Sequence, residues 1–193
     1  FRSVAIDESD TWFVYREWPD VNVGDWAKWQ GGKWISGEGA KGLGYGIKDY
    51  VELITSLEHE TKDTVFERLI DPRLGAAKYQ TQEGASSIIE DLADAGLTFI
   101  PAPGIDIEDG LQALQSKMSY NKRVAIDAIN RPHFYISDRC QNIISALQEY
   151  TAEGGSDEAW KDPIDVIRYL AVSPATFISE DSLKTVKNSR GGY

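Results

Sequence analysis

The stretch RSVAIDESDTWFVYREW, residues 2–18, decides the fold class of this chain. Its two halves, RSVAID (2–7) and TWFVYREW (11–18), are rich in β-branched and aromatic residues, which favour extended strands. A polar triplet at residues 8–10 separates the two runs. The pattern therefore predicts two adjacent antiparallel strands joined as a hairpin.

Downstream of this hairpin, helical and strand-like patterns alternate. Apolar residues recur at helical spacing over about 46–60, 85–96, 111–118 and 140–150, and the strand-like runs are TVFERLID (64–71), LTFIPAP (97–103) and HFYIS (133–137). Helices that alternate with strands imply parallel strands joined by crossovers. We therefore expect an α/β fold with a mixed sheet, in which parallel strands follow an antiparallel hairpin and helices pack on the sheet.

A Gly-rich stretch at residues 19–44 carries Trp26, Trp29 and Trp34, which predicts a long connection packed down by aromatic side chains. Its glycines do not match the sequence pattern of a phosphate-binding loop. The GxxxxGK[ST] pattern is missing, because Lys33 and Lys41 lack both the spacing and the following hydroxyl. ATP hydrolysis by this chain is therefore not expected.

The composition fits a folded protein with a sizeable core. Of its 193 residues, 41% are hydrophobic, and we expect one domain over 1–173 followed by a C-terminal tail over 174–193. No stretch approaches the roughly 18–20 apolar residues of a membrane span, and the start lacks a signal-peptide pattern, so we expect a soluble, unexported protein. The single Cys140 excludes an internal disulfide and a Cys-rich zinc site.

The net charge of −11 argues against a protein whose whole surface attracts phosphate. It does not exclude a nucleic-acid enzyme, since a metal site lined by carboxylates is itself negative and bound divalent cations invert the local field. Basic residues do cluster in KMSYNKR (117–123) and around Arg131 and Arg139. Such a cluster is more often a solvated face than a binding site.

Two acidic motifs allow either a structural or a chemical role. In WKDPIDVIRYLA (160–171), Asp162 stands where a helix N-cap belongs, Pro163 at the first helical position, and Asp165 three residues after the cap. Such residues simply begin a stable helix, or their carboxylates hold a divalent metal. In LIDPRLG (69–75), Asp71 ends a predicted strand and is either a turn initiator or a ligand at the carboxyl end of that strand.

The pairing of these motifs favours the metal interpretation. A strand-end Asp that faces a helix carrying Asp162 and Asp165 has the geometry to bridge two hard cations about 3.5–4 Å apart. Carboxylates suit Mg²⁺ or Mn²⁺, whereas a site without Cys or His suits zinc poorly. We therefore predict a site for two such ions at Asp71, Asp162 and Asp165.

The chain resembles the C-terminal nuclease domain of phage terminase large subunits, which has an RNase H-like fold of the RuvC type. The matching segments, in the family's order, are VAIDESDTWFVYREWP (4–19), LIDPRLG (69–75), FYISDRCQNIISALQEY (134–150) and WKDPIDVIRYLA (160–171). The resemblance implies that Asp71 is the second metal-binding acid and Asp162 the third, with Asp165 in support. Arg168 would orient Asp165 across one helical turn or form a surface ion pair with it.

The resemblance also implies a function. It is metal-dependent hydrolysis of concatemeric duplex DNA by a two-metal mechanism. For such an endonuclease, we expect Lys117, Lys122 and Arg123 of the basic cluster to contact backbone phosphates. The implied partners are double-stranded DNA, a portal protein, a small terminase subunit and an upstream packaging ATPase domain, in the cytoplasm of an infected bacterial host and away from any membrane. The alternative function is a docking module with an RNase H-like fold and an incomplete nuclease site, which binds portal or DNA.

The first metal ligand has two possible positions. In the family, the first catalytic Asp lies on the first, central strand, and VAIDESDTWFVYREW looks like the second and third strands, which places that Asp before Phe1. In the other threading, RSVAID is the first strand, Asp7 is the first ligand and KWIS (33–36) is the third strand. Both remain open at the level of sequence.

Overall fold

The computed structural model describes residues 2–18, 27–30, 33–36, 45–81, 84–104, 106–150, 158–179 and 182. In chain order the elements are β1 (Arg2–Ile6), β2 (Trp12–Glu17), β3 (Ala27–Gln30), β4 (Lys33–Ser36), α1 (Ile47–Thr61), β5 (Leu69–Ile70), α2 (Pro72–Ala76), β6 (Lys78–Thr81), β7 (Gly84–Ser87), α3 (Ile88–Asp94), β8 (Ile100–Pro101), α4 (Ile107–Met118), β9 (Phe134–Ile136), α5 (Gln141–Glu149) and α6 (Glu158–Val172). They divide between two compact units, the first containing residues 1–23 and 106–193 and the second residues 24–105.

The first unit contains a mixed sheet in the order β1-β2-β9. Strands β1 and β2 pair antiparallel, and β2 pairs parallel with β9. The connection between β1 and β2 is held by Asp7, whose Oδ1 accepts hydrogen bonds from the backbone nitrogens of Ser9 and Thr11 at 2.8 and 2.9 Å. The predicted hairpin and the general α/β class are thus confirmed.

Helices α4, α5 and α6 supply the rest of this unit's core. The buried cluster comprises Trp12, Val14, Leu114, Phe134, Cys140, Ile143, Ala146, Ile164, Ile167 and Ala171. Trp12 and Val14 alternate along β2, as expected of a strand with one covered face. Each large side chain in such a core stabilises the fold by about 1.5–3 kcal/mol relative to exposure, so α6 is an integral part of this unit.

A β-bulge changes which side chains of β2 face the core. Arg2 pairs with Glu17 and Ser3 with Arg16, but Val4 pairs with Val14, so Tyr15 is an extra residue in the ladder. An extra residue shifts the two-residue alternation by one. Glu17 is consequently buried, with a side chain that is 0% exposed, instead of pointing away from Trp12 and Val14.

The buried Glu17 carboxylate caps helix α5. Its Oε1 accepts a hydrogen bond from the backbone nitrogen of Asn142 at 2.7 Å, and its Oε2 accepts one from that of Ile143 at 3.2 Å. Arg2 Nε lies 3.5 Å from the same carboxylate. Cys140, which occupies the N-cap position, makes no side-chain cap bond, so a negative charge from a distant strand satisfies the amides at this helix end.

In the second unit, the described residues form three separate strand pairs. Strands β5 and β8 pair parallel, whereas β3 with β4 and β6 with β7 form antiparallel hairpins. The parallel pairing agrees with the predicted crossover, but both predicted strands are shorter, since the ladder covers only Leu69–Ile70 and Ile100–Pro101. Proline explains part of this, because Pro101 and Pro103 have no N–H to donate and Pro72 starts a helix.

The start of α6 differs from the prediction. Asp162 was expected at the N-cap, but the helix begins at Glu158, so Asp162 and Pro163 lie inside it. Proline inside a helix removes one hydrogen bond, here the one to the carbonyl of Ala159, at a cost of about 3 kcal/mol. Pro163 and the adjacent Ile164 are both buried, and this packing offsets the lost bond.

None of the helices that the structure describes has both the length and the apolar composition of a membrane-spanning segment.

Candidate functional site

Helix α6 carries two of the three predicted metal ligands. Asp162 is exposed and Asp165 is partly exposed, and a spacing of three residues places them on neighbouring positions of one helix face. The helix is held from its other side by Ile164 and Ile167, which are buried in the core. The two carboxylates therefore sit on a rigid element.

Asp165 is oriented by Arg168. Both Nε and Nη2 of Arg168 donate to Asp165 Oδ1, at 3.2 and 2.9 Å. The Arg168 side chain is only 4% exposed, and its guanidinium lies 4.6 Å from the ring centroid of Tyr169. The contact is thus a largely buried, charge-assisted hydrogen bond rather than a surface ion pair.

A glycine on α4 makes room for Arg168. A Cβ atom on Gly110 would overlap Arg168 Cγ and lie 2.6 Å from Arg168 Cδ. The absence of a side chain at this helical position lets the Arg168 stem lie against the α4 backbone. Gly110 is therefore a positioning residue for the Asp165–Arg168 pair, and the sequence pattern gave no sign of it.

Asp71 lies at the carboxyl end of β5, as predicted, and caps α2. Its Oδ1 accepts hydrogen bonds from the backbone nitrogens of Arg73 and Leu74, at 2.9 and 2.8 Å. The turn-initiating role expected of an Asp-Pro pair is therefore real. Asp71 belongs to the second unit, whereas Asp162 and Asp165 belong to the first.

Across the portion of the chain that the structure describes, no group of three or more His, Cys, Asp or Glu side chains is arranged to hold a metal ion.

Asp7, the alternative first ligand, is engaged in the turn after β1. Hydrogen bonds from the backbone of Thr11 and Ser9, together with the positive charge of Arg131, hold the pKa of Asp7 below its ordinary value. In the described sheet, β1 is an edge strand and β2 is the middle strand. In the sequence alignment that selects Asp7 as a ligand, its strand is the central one and KWIS is the third strand of the same sheet. In the structure, KWIS forms β4 and pairs with β3.

The three basic residues predicted to contact phosphates differ in their surroundings. Lys117 Nζ lies 3.4 Å from Asp10 Oδ2 and 5.0 Å from the centroid of the Trp12 ring. Lys122 and Arg123 are exposed in the loop between α4 and β9. Lys122 and Arg123 are therefore more accessible to a ligand than Lys117 is.

The sequence pattern gave no sign of the buried ion pair between Arg2 and Glu17. Burial lowers the pKa of Arg2, and the nearby negative charge of Glu17 opposes this shift. Burial and Glu17 together raise the pKa of the Cys140 thiol from 9.0 to about 11. These groups link β1 and β2 to α5. The only feature of the sequence that indicated this link was a Glu at the end of a strand rich in aromatic residues.

Comparisons of the chain with protein-family models, curated proteins and solved structures give no match. Function is therefore inferred from the residues and their geometry.

Proposed function

We propose that this chain is the metal-dependent endonuclease domain of a viral DNA-packaging terminase, with an RNase H-like fold. Its reaction is hydrolysis of phosphodiester bonds in concatemeric duplex DNA, supported by two Mg²⁺ or Mn²⁺ ions. The observation that carries the proposal is the pair of acids on α6, in which Asp165 is fixed by the nearly buried Arg168 beside the exposed Asp162. Metal ligands commonly need such a partner to fix their orientation.

The general architecture is compatible with this proposal. A mixed sheet with an antiparallel hairpin and a parallel strand, covered by helices, is the α/β arrangement that the resemblance implies. The segments that carry the resemblance include β2, β9, α5 and α6, which build one unit.

The available donors fit hard divalent cations. Carboxylate oxygens are the preferred ligands of Mg²⁺ and Mn²⁺, and the resemblance assigns Asp71, Asp162 and Asp165 to this role. Bound cations would supply an activated water and neutralise the charge that develops on phosphate. In this chain, Asp162 would bind a cation, Arg168 would hold the Asp165 carboxylate in place, and the buried face of α6 would fix both acids relative to the sheet.

One observation favours the second candidate, a docking module that binds portal or DNA. Asp71 already accepts two backbone hydrogen bonds and Asp165 already pairs with Arg168, so both carboxylates have structural roles without any metal. In a module that only docks, helix capping by Asp71 and the pairing of Asp165 with Arg168 would be the complete roles of these two residues.

A plasmid-nicking assay in Mn²⁺ or Mg²⁺ separates the two functions. Asp162→Asn and Asp71→Asn keep the size of each side chain, and Asp109→Asn on the exposed face of α4 is a matched control. We expect Asp162→Asn and Asp71→Asn each to lower the nicking rate by about 100-fold or more, because a neutral amide binds these ions poorly. The control should keep the wild-type rate.

Mn²⁺ binding, measured by electron paramagnetic resonance, accompanies the assay. Nicking that neither Asp71→Asn nor Asp162→Asn affects would rule out the assigned site. A wild-type chain that binds portal protein but neither binds Mn²⁺ nor nicks DNA would support the docking module instead.

A further inference from the structure

The loop between α4 and β9, residues 119–133, has a defined internal hydrogen-bond framework and is called the Asn130 loop below. The Asn130 side chain donates through Nδ2 to the carbonyl oxygens of Asn121, Val124 and Ala125, at 3.1, 3.2 and 3.0 Å. Its Oδ1 accepts from the backbone nitrogen of Asn121 at 2.8 Å. One side chain thus ties together both halves of the loop.

Asp127 fixes the tip of the same loop. Its Oδ1 accepts from the backbone nitrogens of Ile129 and Asn130, at 2.8 and 2.7 Å. These bonds lower the pKa of Asp127, so the loop's one carboxylate is ionised and directed at its own backbone. The loop conformation is therefore organised before any ligand arrives.

This framework presents aliphatic side chains to solvent. Ile129 is 92% exposed, Ile126 60% and Val124 52%. Single exposed apolar residues are ordinary on protein surfaces. A group of them on one hydrogen-bonded loop is the kind of feature that marks an interaction surface.

The charge of the loop is opposite to that of the chain. Lys122 and Arg123 are exposed in the same loop and directly precede Val124, whereas the chain as a whole carries a net charge of −11. Among the residues that the structure describes, neither cation has an ion-pair partner. The loop therefore offers positive charge beside protruding branched side chains, which complements a polyanion with an apolar interior.

We propose that the Asn130 loop is a wedge for duplex DNA: Lys122 and Arg123 contact backbone phosphates, and Ile129 inserts at a base step from the minor groove. Proteins that kink DNA use Ile and similar side chains in this way, next to basic residues. A wedge must not yield on contact, and the Asn130 and Asp127 hydrogen bonds provide that stiffness. This inference rests on the proposed nuclease function and adds how that nuclease engages its duplex.

The test is DNA binding by the full chain in EDTA, where no cleavage occurs. The probe is a duplex with 2-aminopurine at successive base steps, whose fluorescence rises on unstacking, and affinity is read by anisotropy. We expect the wild-type chain to raise the fluorescence at one or two steps. Ile129→Ser should abolish that rise and weaken binding about 10-fold, whereas Ile107→Ser, on an aliphatic that is 45% exposed on α4, should change neither.

A charge variant separates the two parts of the wedge. Lys122→Gln should lower the slope of log affinity against log salt by about 1 while keeping the fluorescence rise, because it removes one phosphate contact. A wild-type chain that binds duplex without any rise, or an Ile129→Ser chain that matches wild type, would overturn the wedge.

Two further outcomes also decide the matter. Ile129-dependent binding to anionic lipid vesicles or to a second copy of the chain, without DNA binding, would overturn the proposal and assign the loop to that partner. Because the assay contains no metal, its result is independent of cleavage. If the chain unstacks DNA but never nicks it, the wedge is supported and the nuclease function is ruled out. If the chain nicks DNA without unstacking it, the nuclease function is supported and the wedge is ruled out.

Discussion

Glu17 Oε1 lies 2.7 Å from the backbone nitrogen of Asn142, so a side chain of the hairpin of β1 and β2 caps helix α5, 125 positions away in the sequence. Only the bulge at Tyr15 lets Glu17 face that helix. The contact places the carboxylate against the positive end of the α5 dipole and beside Arg2. This buried charge cluster is a stability element separate from the acids of α6.

Glu17→Gln should lower the free energy of unfolding by about 3 kcal/mol, because it leaves Arg2 buried beside a neutral amide. Urea denaturation at pH 7 measures the change. Glu8→Gln, in the exposed turn after β1, should cost less than about 0.5 kcal/mol. Equal effects of the two substitutions would contradict the capping role.

Gly110→Ala should destabilise the chain by about 2 kcal/mol, although alanine normally favours a helix by about 1 kcal/mol over glycine. The new methyl group overlaps the Arg168 stem. Thermal or urea unfolding gives the value, and Gly104→Ala, where a Cβ has open space, is the control. In an Arg168→Ala background, Gly110→Ala should become neutral or stabilising. A cost that persists there would locate the clash elsewhere.

Cys140 should make stability fall at alkaline pH. Its pKa is raised in the folded state to about 11 from 9.0, so its contribution is fully present below pH 9 and is lost as the pH rises towards 11. At pH 10.5 the loss amounts to about 2 kcal/mol, at 1.36 kcal/mol per pH unit above pH 9. Unfolding of wild type and Cys140→Ala, compared at pH 7, 9 and 10.5 under reducing conditions, should show the difference between them shrinking. Parallel pH profiles would refute this assignment.

Asp71 should show two separable roles. Asn caps helices about as well as Asp, so Asp71→Asn should keep stability, whereas Asp71→Ala should cost about 1 kcal/mol. Both variants should lose plasmid nicking if Asp71 is a metal ligand. Asp106, the N-cap of α4, accepts a hydrogen bond from the backbone nitrogen of Glu108. The same two substitutions at Asp106 are therefore matched controls. Asp106→Asn and Asp106→Ala should repeat the stability pattern and leave nicking intact.

Local periodicity predicted much of this fold. The hairpin, helix α1, helix α4, strand β9 and helix α5 all follow from apolar spacing, because each buries one face against neighbours. The start of α6 did not follow, since Pro163 was taken as a first helical residue. A buried proline can sit inside a helix when tertiary packing replaces the missing hydrogen bond, and no local pattern reveals that packing.

The candidate site was predictable only in part. The position of Asp71 after β5 and the three-residue spacing of Asp162 and Asp165 came from sequence motifs, whereas the place of Asp162 inside α6 did not. The roles of Gly110 and Glu17 did not, because they depend on a close approach of two helices and on a bulge in a strand. Both arise from contacts between residues far apart in the chain, which spacing within a single element does not encode.

The cap on α5 also sets a waiting time for folding. Glu17 and Asn142 are 125 positions apart, so a chain growing at about 5–20 residues per second completes its hairpin roughly 6–25 s before the receiving helix is synthesised. During that interval Arg2 and Glu17 must remain hydrated, and the apolar face of β2 has no α5 or α6 to cover it. The hairpin of β1 and β2 is therefore exposed to premature association until α5 and α6 have been synthesised.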